Sequence, residues 1–194
     1  MVLKNDHSPR QRFWTIRAKH IILGTGSLER HIAFNNNDVP GMMTVNASKH
    51  YLNRYGVLSG QEIVISTNND SVYATANELT KAGSKVHIID ARNTISQDIV
   101  ESAKRSGIEV SLGTTPFNIN GRKKIDSLDV AEHDGQKYNK VNQIKCDLVL
   151  VSGGWSPAVH LLSHRGVRPI WDSVNLCFLP NEIQEPITVT GSAS

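Results

Sequence analysis

Gln61-Glu-Ile-Val-Ile-Ser-Thr-Asn-Asn-Asp70, followed by Ser71-Val-Tyr-Ala-Thr-Ala-Asn-Glu-Leu-Thr80 and running on to Lys85-Val-His-Ile-Ile-Asp90 and Arg92, is the stretch that decides the fold. Its first part, residues 62–66, is a β-branched run of the kind buried on both faces of a sheet. Residues 67–71 turn the chain, with Asp70 or Ser71 placed to cap a helix. Val72, Ala76 and Leu79 then recur at helical spacing, and Gly83 supplies the stop. Residues 85–90 form a second apolar strand ending on an acid. Strand, helix and strand within about thirty residues make a βαβ unit, the opening of a dinucleotide-binding domain.

Working outward, the same pattern continues. A helix is predicted over 99–105 and a third parallel strand over 107–112, which completes a βαβαβ half. Residues 116–120, 125–133 and 138–145 then read as an antiparallel meander, with turns at 121–124 and at 133–136, where Asp134-Gly135 is the stronger signal. Asp147-Leu-Val-Leu-Val151 is again an apolar, parallel-type strand, and a short helix is predicted over 157–164. Upstream, 45–55 reads as a helix closed by Gly56, preceded by a loop at 35–41 that marks a crossing between domains. Residues 13–17 alternate as an antiparallel strand, and 20–23 form an apolar strand ending in Gly24-Thr-Gly26. That tip is either an ordinary tight turn or a place where backbone approaches a ligand. A last strand, 187–190, runs into Gly191-Ser-Ala-Ser194, and a chain that halts at such a tip reads as truncated.

Bulk composition narrows the function classes. In 194 residues, 39% are hydrophobic and 20% charged, and the net charge is +3, so one large or two small soluble domains are expected. The basic residues are scattered and no recognition module is present, which argues against a nucleic-acid partner; the basic 8–12 segment reads as a solvated end. No apolar run reaches the roughly 20 residues of a membrane span, and no signal-peptide core is present, so a cytoplasmic protein is expected. Cys146 and Cys177 match no metal or redox spacing and read as buried thiols. His160 and His164 share one helix face, but no third metal ligand follows.

The chemistry of the central turn is unusual. A dinucleotide-binding turn carries glycines that let backbone reach the pyrophosphate. Residues 67–71 contain none, and Asp70 would repel a phosphate at the helix start. Either the unit has lost its nucleotide, which is the favoured reading, or it binds one in another way. Asp90 stands where a ribose-binding acid would stand, yet without the glycine loop it reads as a surface aspartate, and Arg92 as a solvated arginine. No catalytic constellation emerges from spacing alone.

Several segments together resemble the alpha subunit of heterotetrameric sarcosine oxidase. They are residues 9–14, 16–19, 24–30, 35–38 with 40–42, Tyr51-Leu-Asn-Arg-Tyr-Gly-Val57, 67–71, 90–92, 146–147, and Leu150-Val-Ser-Gly-Gly-Trp155 with 157–161. The chain departs from that family at Gly24 for Ala, His31 for Pro and Ser156 for Asn. The resemblance implies a fold like the two-dinucleotide-domain flavoprotein disulfide reductases. In these the first domain is discontinuous: the chain leaves at Gly24-Thr-Gly26 and returns at Gly191-Ser-Ala193, so 20–23 and 187–190 become neighbours in one parallel sheet. It implies NAD in the first domain, whose glycine-rich loop would precede Met1, with Gly24, Thr25, Gly26, Gly191 and Ser192 lining the cleft through their backbones. The alternative is that these small residues only allow two strand ends to pack.

The resemblance further implies oxidation of sarcosine to glycine. Electrons pass from an FAD held by another subunit to an interfacial FMN and on to oxygen, and the one-carbon unit passes to tetrahydrofolate on an absent C-terminal domain. The expectation is therefore an α/β chain: a Rossmann-like parallel βαβαβ sheet with an antiparallel β meander, plus flanking strands of an incomplete first domain. Its expected parts are residues 1–43, a remnant of the first domain; 44–163, the second NAD(P)-type domain; and 164–194, the return segment. No metal and no catalytic residue are assigned. Partners would be the other subunits, the beta subunit first, and the piece alone would be inactive. Rival readings are a related amine, proline or opine dehydrogenase subunit, and a nucleotide-free adaptor.

Overall fold

The computed structural model describes residues 13–133, 138–181 and 186–194. By internal contacts the chain forms two compact units, one of Met1–Gly26 with Pro157–Ser194 and the other of Ser27–Ser156. The Asp134-Gly135 turn and the segment 8–12 lie outside the described residues.

The Ser27–Ser156 unit is built on a five-stranded parallel sheet. Its strands are β3 (Met42–Thr44), β4 (Glu62–Thr67), β5 (Lys85–Asp90), β6 (Glu109–Leu112) and β10 (Leu148–Ser152). Their order is β3-β10-β4-β5-β6, with every neighbour parallel. Helices α1 (Val45–Tyr55), α2 (Ser71–Lys81) and α3 (Gln97–Arg105) connect them. Alternation along the strands explains the layering. Ile63, Ile65, Ile88, Leu148 and Leu150 pack with Val45, Val72, Ala76 and Leu79 of the helices. Val64, Ile89, Val149 and Val151 pack the other way, against Ile119, Ile125, Leu128 and Val130. Those last residues belong to the meander of β7 (Thr114–Gly121), β8 (Ile125–His133) and β9 (Tyr138–Lys145).

Local chemistry sets the boundaries. Thr44 caps α1 by accepting the Ala47 N–H at 3.3 Å, and Gly56 ends it in the left-handed conformation at φ 64°. At the β7–β8 hairpin Gly121 has φ 136°, and a Cβ there would collide with the Lys124 carbonyl. The loop at 35–41 lies within this unit, where Asn36 Nδ2 donates to the Ile119 carbonyl at 3.2 Å. Two short strands, β2 (Ser27–Glu29) and β11 (Trp155–Pro157), pair with each other.

In the other unit, β1 (Ile21–Leu23) lies parallel to β14 (Ile187–Val189), with Ile21 opposite Ile187 and Leu23 opposite Val189. This is the neighbourhood the family resemblance implied. A hairpin of β12 (Ile170–Asp172) and β13 (Cys177–Leu179) and the four-residue helix α4 (His160–Ser163) complete it. The strand expected over 13–17 is not formed. Phe13, Trp14 and Ile16 are 98, 72 and 81% exposed, because no described strand lies beside them to bury the alternating residues. The helix expected over 157–164 shrinks to α4, since Trp155–Pro157 is extended in β11 and the helix starts only after its N-cap, Val159. Among the described residues no helix is long and apolar enough to cross a membrane.

One titratable group inside the sheet makes a pH-dependent prediction. His87 on β5 has its Nε2 2.9 Å from Ser111 Oγ and its Nδ1 3.4 Å from a Glu109 carboxylate oxygen. Burial lowers its pKa below the ordinary 6.5, and the Glu109 charge only partly opposes this. The unfolded chain therefore binds the extra proton more readily than the folded one. The stability this histidine contributes is whole above pH 6.5 and is lost as pH falls from there through the folded pKa. Urea midpoints measured between pH 8 and pH 5 should thus drop more steeply for the wild-type chain than for His87→Gln. Parallel curves would rule out the assignment.

Candidate functional site

In an open parallel sheet the ligand crevice lies at the carboxyl ends of the strands, where the strand order reverses. Here that point lies between β4 and β10, whose last residues, Thr67 and Ser152, are register partners. Asn69 spans it. Its Nδ2 donates to the Ser152 carbonyl and to Ser152 Oγ, both at 3.2 Å. Its Oδ1 accepts from Ser71 N at 3.2 Å and from Ser71 Oγ at 2.6 Å. Trp155 Nε1 donates to the same Ser71 Oγ at 3.0 Å, and Asn69 N donates to Thr67 Oγ1 at 3.1 Å. The expected capping of α2 by Asp70 or Ser71 is thereby corrected. Asp70 is already helical in backbone (φ −79°, ψ −17°) and makes no side-chain cap bond; Asn69, one residue earlier, takes the orphan N–H.

The neighbouring strand end corrects two further expectations. Asp90 is not a surface residue but is fully buried. Its Oδ1 accepts from the backbone N and Nε of Arg92, both at 3.0 Å, and its Oδ2 accepts Arg92 Nη2 at 2.8 Å and the Tyr73 hydroxyl at 3.0 Å. Arg92 is not a free solvated arginine either, since its Nη2 also lies 2.8 Å from Asp70. A buried carboxylate needs this many donors, and the chain supplies them from α2 and from two residues downstream. Arg92 is held above its ordinary pKa mainly by its hydrogen bonds to Asp90. Burial, and then the Asp90 charge, push the Tyr73 hydroxyl above its ordinary range. Tyr73 thus stays protonated and donates.

These residues depart from a dinucleotide-binding turn. No glycine in 67–71 opens the backbone, the Asn69 side chain bridges the crevice, and the Asp70 carboxylate stands at the helix start. The acid that could hold a ribose is saturated by Arg92 and Tyr73.

In the other unit, the five residues expected to line a cofactor cleft come together at the paired tips of β1 and β14. Thr190 N donates to the Leu23 carbonyl at 3.0 Å. Gly26 and Gly191 both have φ 72°. A Cβ added to Gly26 would lie 3.9 Å from Ser192 Oγ, one on Gly24 would lie 3.9 Å from Thr190 Cγ2, and one on Gly191 would meet nothing within 4 Å. Thr25 turns its hydroxyl to the Ala158 carbonyl at 3.0 Å, and Ala158 N donates to the Gly26 carbonyl at 2.9 Å. Open backbone flanked by small residues fits close approach by an extended ligand.

Burial pushes the Cys146 thiol up to about 12, and both cysteines are buried and unpaired with each other. Such thiols are poor nucleophiles. Among the described residues no group of three or more His, Cys, Asp or Glu could hold a metal ion, and His160 and His164 stay a pair on and beside α4. The Gly153-Gly154 segment has a packing reason: at Gly154 (φ 94°) a Cβ would lie 2.6 Å from Arg30 Nη2.

Comparison with known proteins places these features. The pyridine nucleotide-disulphide oxidoreductase family matches residues 2–172. Sarcosine oxidase subunit alpha from Corynebacterium sp. (strain P-1) is 37% identical over 175 residues, which are 89% of this chain and 18% of that protein. The subunit of the same name from Rhizobium meliloti (strain 1021) is 36% identical over 190 residues, 97% of this chain and again 18% of that protein. The chain thus spans less than one fifth of the length of these relatives. Among solved structures, T. acidophilum thioredoxin reductase superposes with a TM-score of 0.70 at 17% identity, covering 91% of this chain and 58% of that one. Sheet order, paired tips and family match agree: the chain belongs to the pyridine nucleotide-disulphide oxidoreductase family.

Proposed function

We propose that this chain is the central part of the alpha subunit of a sarcosine-oxidase-like flavoenzyme, a complex that oxidatively demethylates sarcosine, a CH–NH donor, to glycine. The observation that carries the reading is identity of 36–38% to three sarcosine oxidase alpha subunits over most of the chain. In this reading the division of labour follows the two units. Gly24, Thr25, Gly26, Gly191 and Ser192 present backbone to an NAD in the complete first domain. The Ser27–Ser156 unit keeps the dinucleotide fold as a scaffold without a nucleotide. The partner would be the beta subunit, with FAD and FMN held in the assembled complex rather than by this chain alone.

A calorimetric titration of NAD into the purified chain, with ATP and FAD as comparators, tests the division. No saturable binding by a folded chain is expected, because the tips supply only part of a cleft and the switch point is closed. Micromolar NAD binding that survives Gly26→Val and Gly191→Val would place the nucleotide in the Ser27–Ser156 unit and overturn the reading. Turnover of sarcosine by the chain alone would overturn the expectation that it is inactive by itself.

A further inference from the structure

With the switch point closed, the carboxyl ends of the parallel sheet still carry one open cleft. It lies at the end of edge strand β3, between β2 and one side of α1, and has a volume of about 600 Å³. That volume falls in the range of about 300–1,000 Å³ typical of small-molecule sites. Its lining mixes aromatic and apolar side chains with polar ones, among them Glu29, Thr44 and His50. Tyr51 and Tyr55 have ring centroids 6.1 Å apart at a 47° tilt, and His50 sits 6.4 Å from Tyr55. Tyr51, Tyr55 and Leu28 are 48, 62 and 66% exposed, a concentration of apolar surface with no cover among the described residues.

The polar groups in the cleft set the sign of charge it accepts. A helix start ordinarily attracts anions through its free N–H groups. Here two of those groups are used: Asn46 N donates to Glu29 Oε2 at 2.8 Å, and Ala47 N to Thr44 Oγ1 at 3.3 Å. A carboxylate offers about four acceptor positions, and the Asn46 N–H fills one. Glu29 therefore brings a negative charge and acceptor capacity into an aromatic enclosure. Tyrosine faces add to this, since they attract cations, and Arg54 Cζ already lies 5.9 Å from the Tyr55 centroid.

We propose that this cleft is a binding site for a small organic ammonium carried on an aromatic or apolar body. Glu29 takes the N–H donors, and the Tyr51 and Tyr55 rings enclose the body. The site rejects anions, and it disfavours zwitterionic amino acids, whose carboxylate meets Glu29. It shares no residue with the tips at Gly24–Gly26 and Gly191–Ser192, so its test is independent of the function proposed above.

The test is a titration of the 194-residue chain with phenethylammonium, followed by amide and tyrosine-ring NMR shifts, with phenylacetate and phenethyl alcohol as the anionic and neutral comparators. Saturable shifts at Asn46, Ala47 and the Tyr51 ring are expected for the ammonium, with phenylacetate bound at least about tenfold more weakly. Glu29→Gln keeps an acceptor for the Asn46 N–H and so preserves the cap. It should weaken the ammonium about tenfold and abolish the preference over the alcohol. Tyr51→Ala, checked for an unchanged circular dichroism spectrum, should weaken the ammonium and the alcohol alike. Equal binding of phenylacetate, indifference to Glu29→Gln, or no saturable shift below about 20 mM would each overturn the proposal.

Discussion

Asp90→Ala is expected to lower the unfolding free energy by about 3 kcal/mol, near the lower end of the range for breaking a buried ion pair. The lower end applies because Arg92, whose side chain is 31% exposed, can re-solvate and keep Asp70 as a partner. Tyr73 cannot do so as easily. Its hydroxyl loses its acceptor inside the protein, and an unmade buried hydrogen bond costs about 1–3 kcal/mol by itself. Asp70→Ala is the control: its carboxylate is 58% exposed, so losing that pair should change stability by less than about 1 kcal/mol. Urea unfolding of the two variants at neutral pH checks the contrast. Equal losses would mean that the pairing at the strand end is a surface matter and that the burial of Asp90 contributes nothing.

Leu150→Ala should cost a similar or larger amount, about 3–4 kcal/mol. Leu150 is fully buried on β10, with Met43 and Ile65 as its register partners on either side. It belongs to the helix-facing core with Val45, Val72 and Leu79. A cavity at that place touches both neighbouring strands and the helix layer, so little of it can close by relaxation. Leu28→Ala, at a residue 66% exposed in the Ser27–Leu28 cleft wall, should change stability by no more than about 0.5 kcal/mol. The comparison separates apolar surface that builds the fold from apolar surface that remains available.

Where two faces of a strand are buried, the sequence carries its own reading. Residues 63–65 and 148–151 are continuous apolar runs, and the strands expected over 62–66 and 147–151 form in the central sheet within a residue or two of expectation. The meander was legible from its turn residues instead, since 121–124 separates β7 from β8. Short elements were not. Met42–Thr44 has three residues, too few for any period to show, and the alternation at 13–17 has no strand beside it among the described residues. The site shows the same division. Arg92 stands two residues from Asp90 and could have been paired with it from sequence, but Tyr73 reaches Asp90 only once α2 lies on the sheet. Asn69 could be read as a turn residue; its bond across to Ser152 depends on a strand 83 positions later.

The bridge from Asn69 to Ser152 and Ser71 also alters how this unit answers to its surroundings. A domain that closes around a dissociable nucleotide gains stability with nucleotide concentration, and it loosens when the nucleotide leaves. A side chain tied to the same backbone is present at a fixed and very high effective concentration. It cannot be diluted away. In the reading proposed above, the crevice between β4 and β10 stays bridged whatever the pyridine-nucleotide concentration, and this half of the fold would supply constant geometry rather than a sensor of redox state.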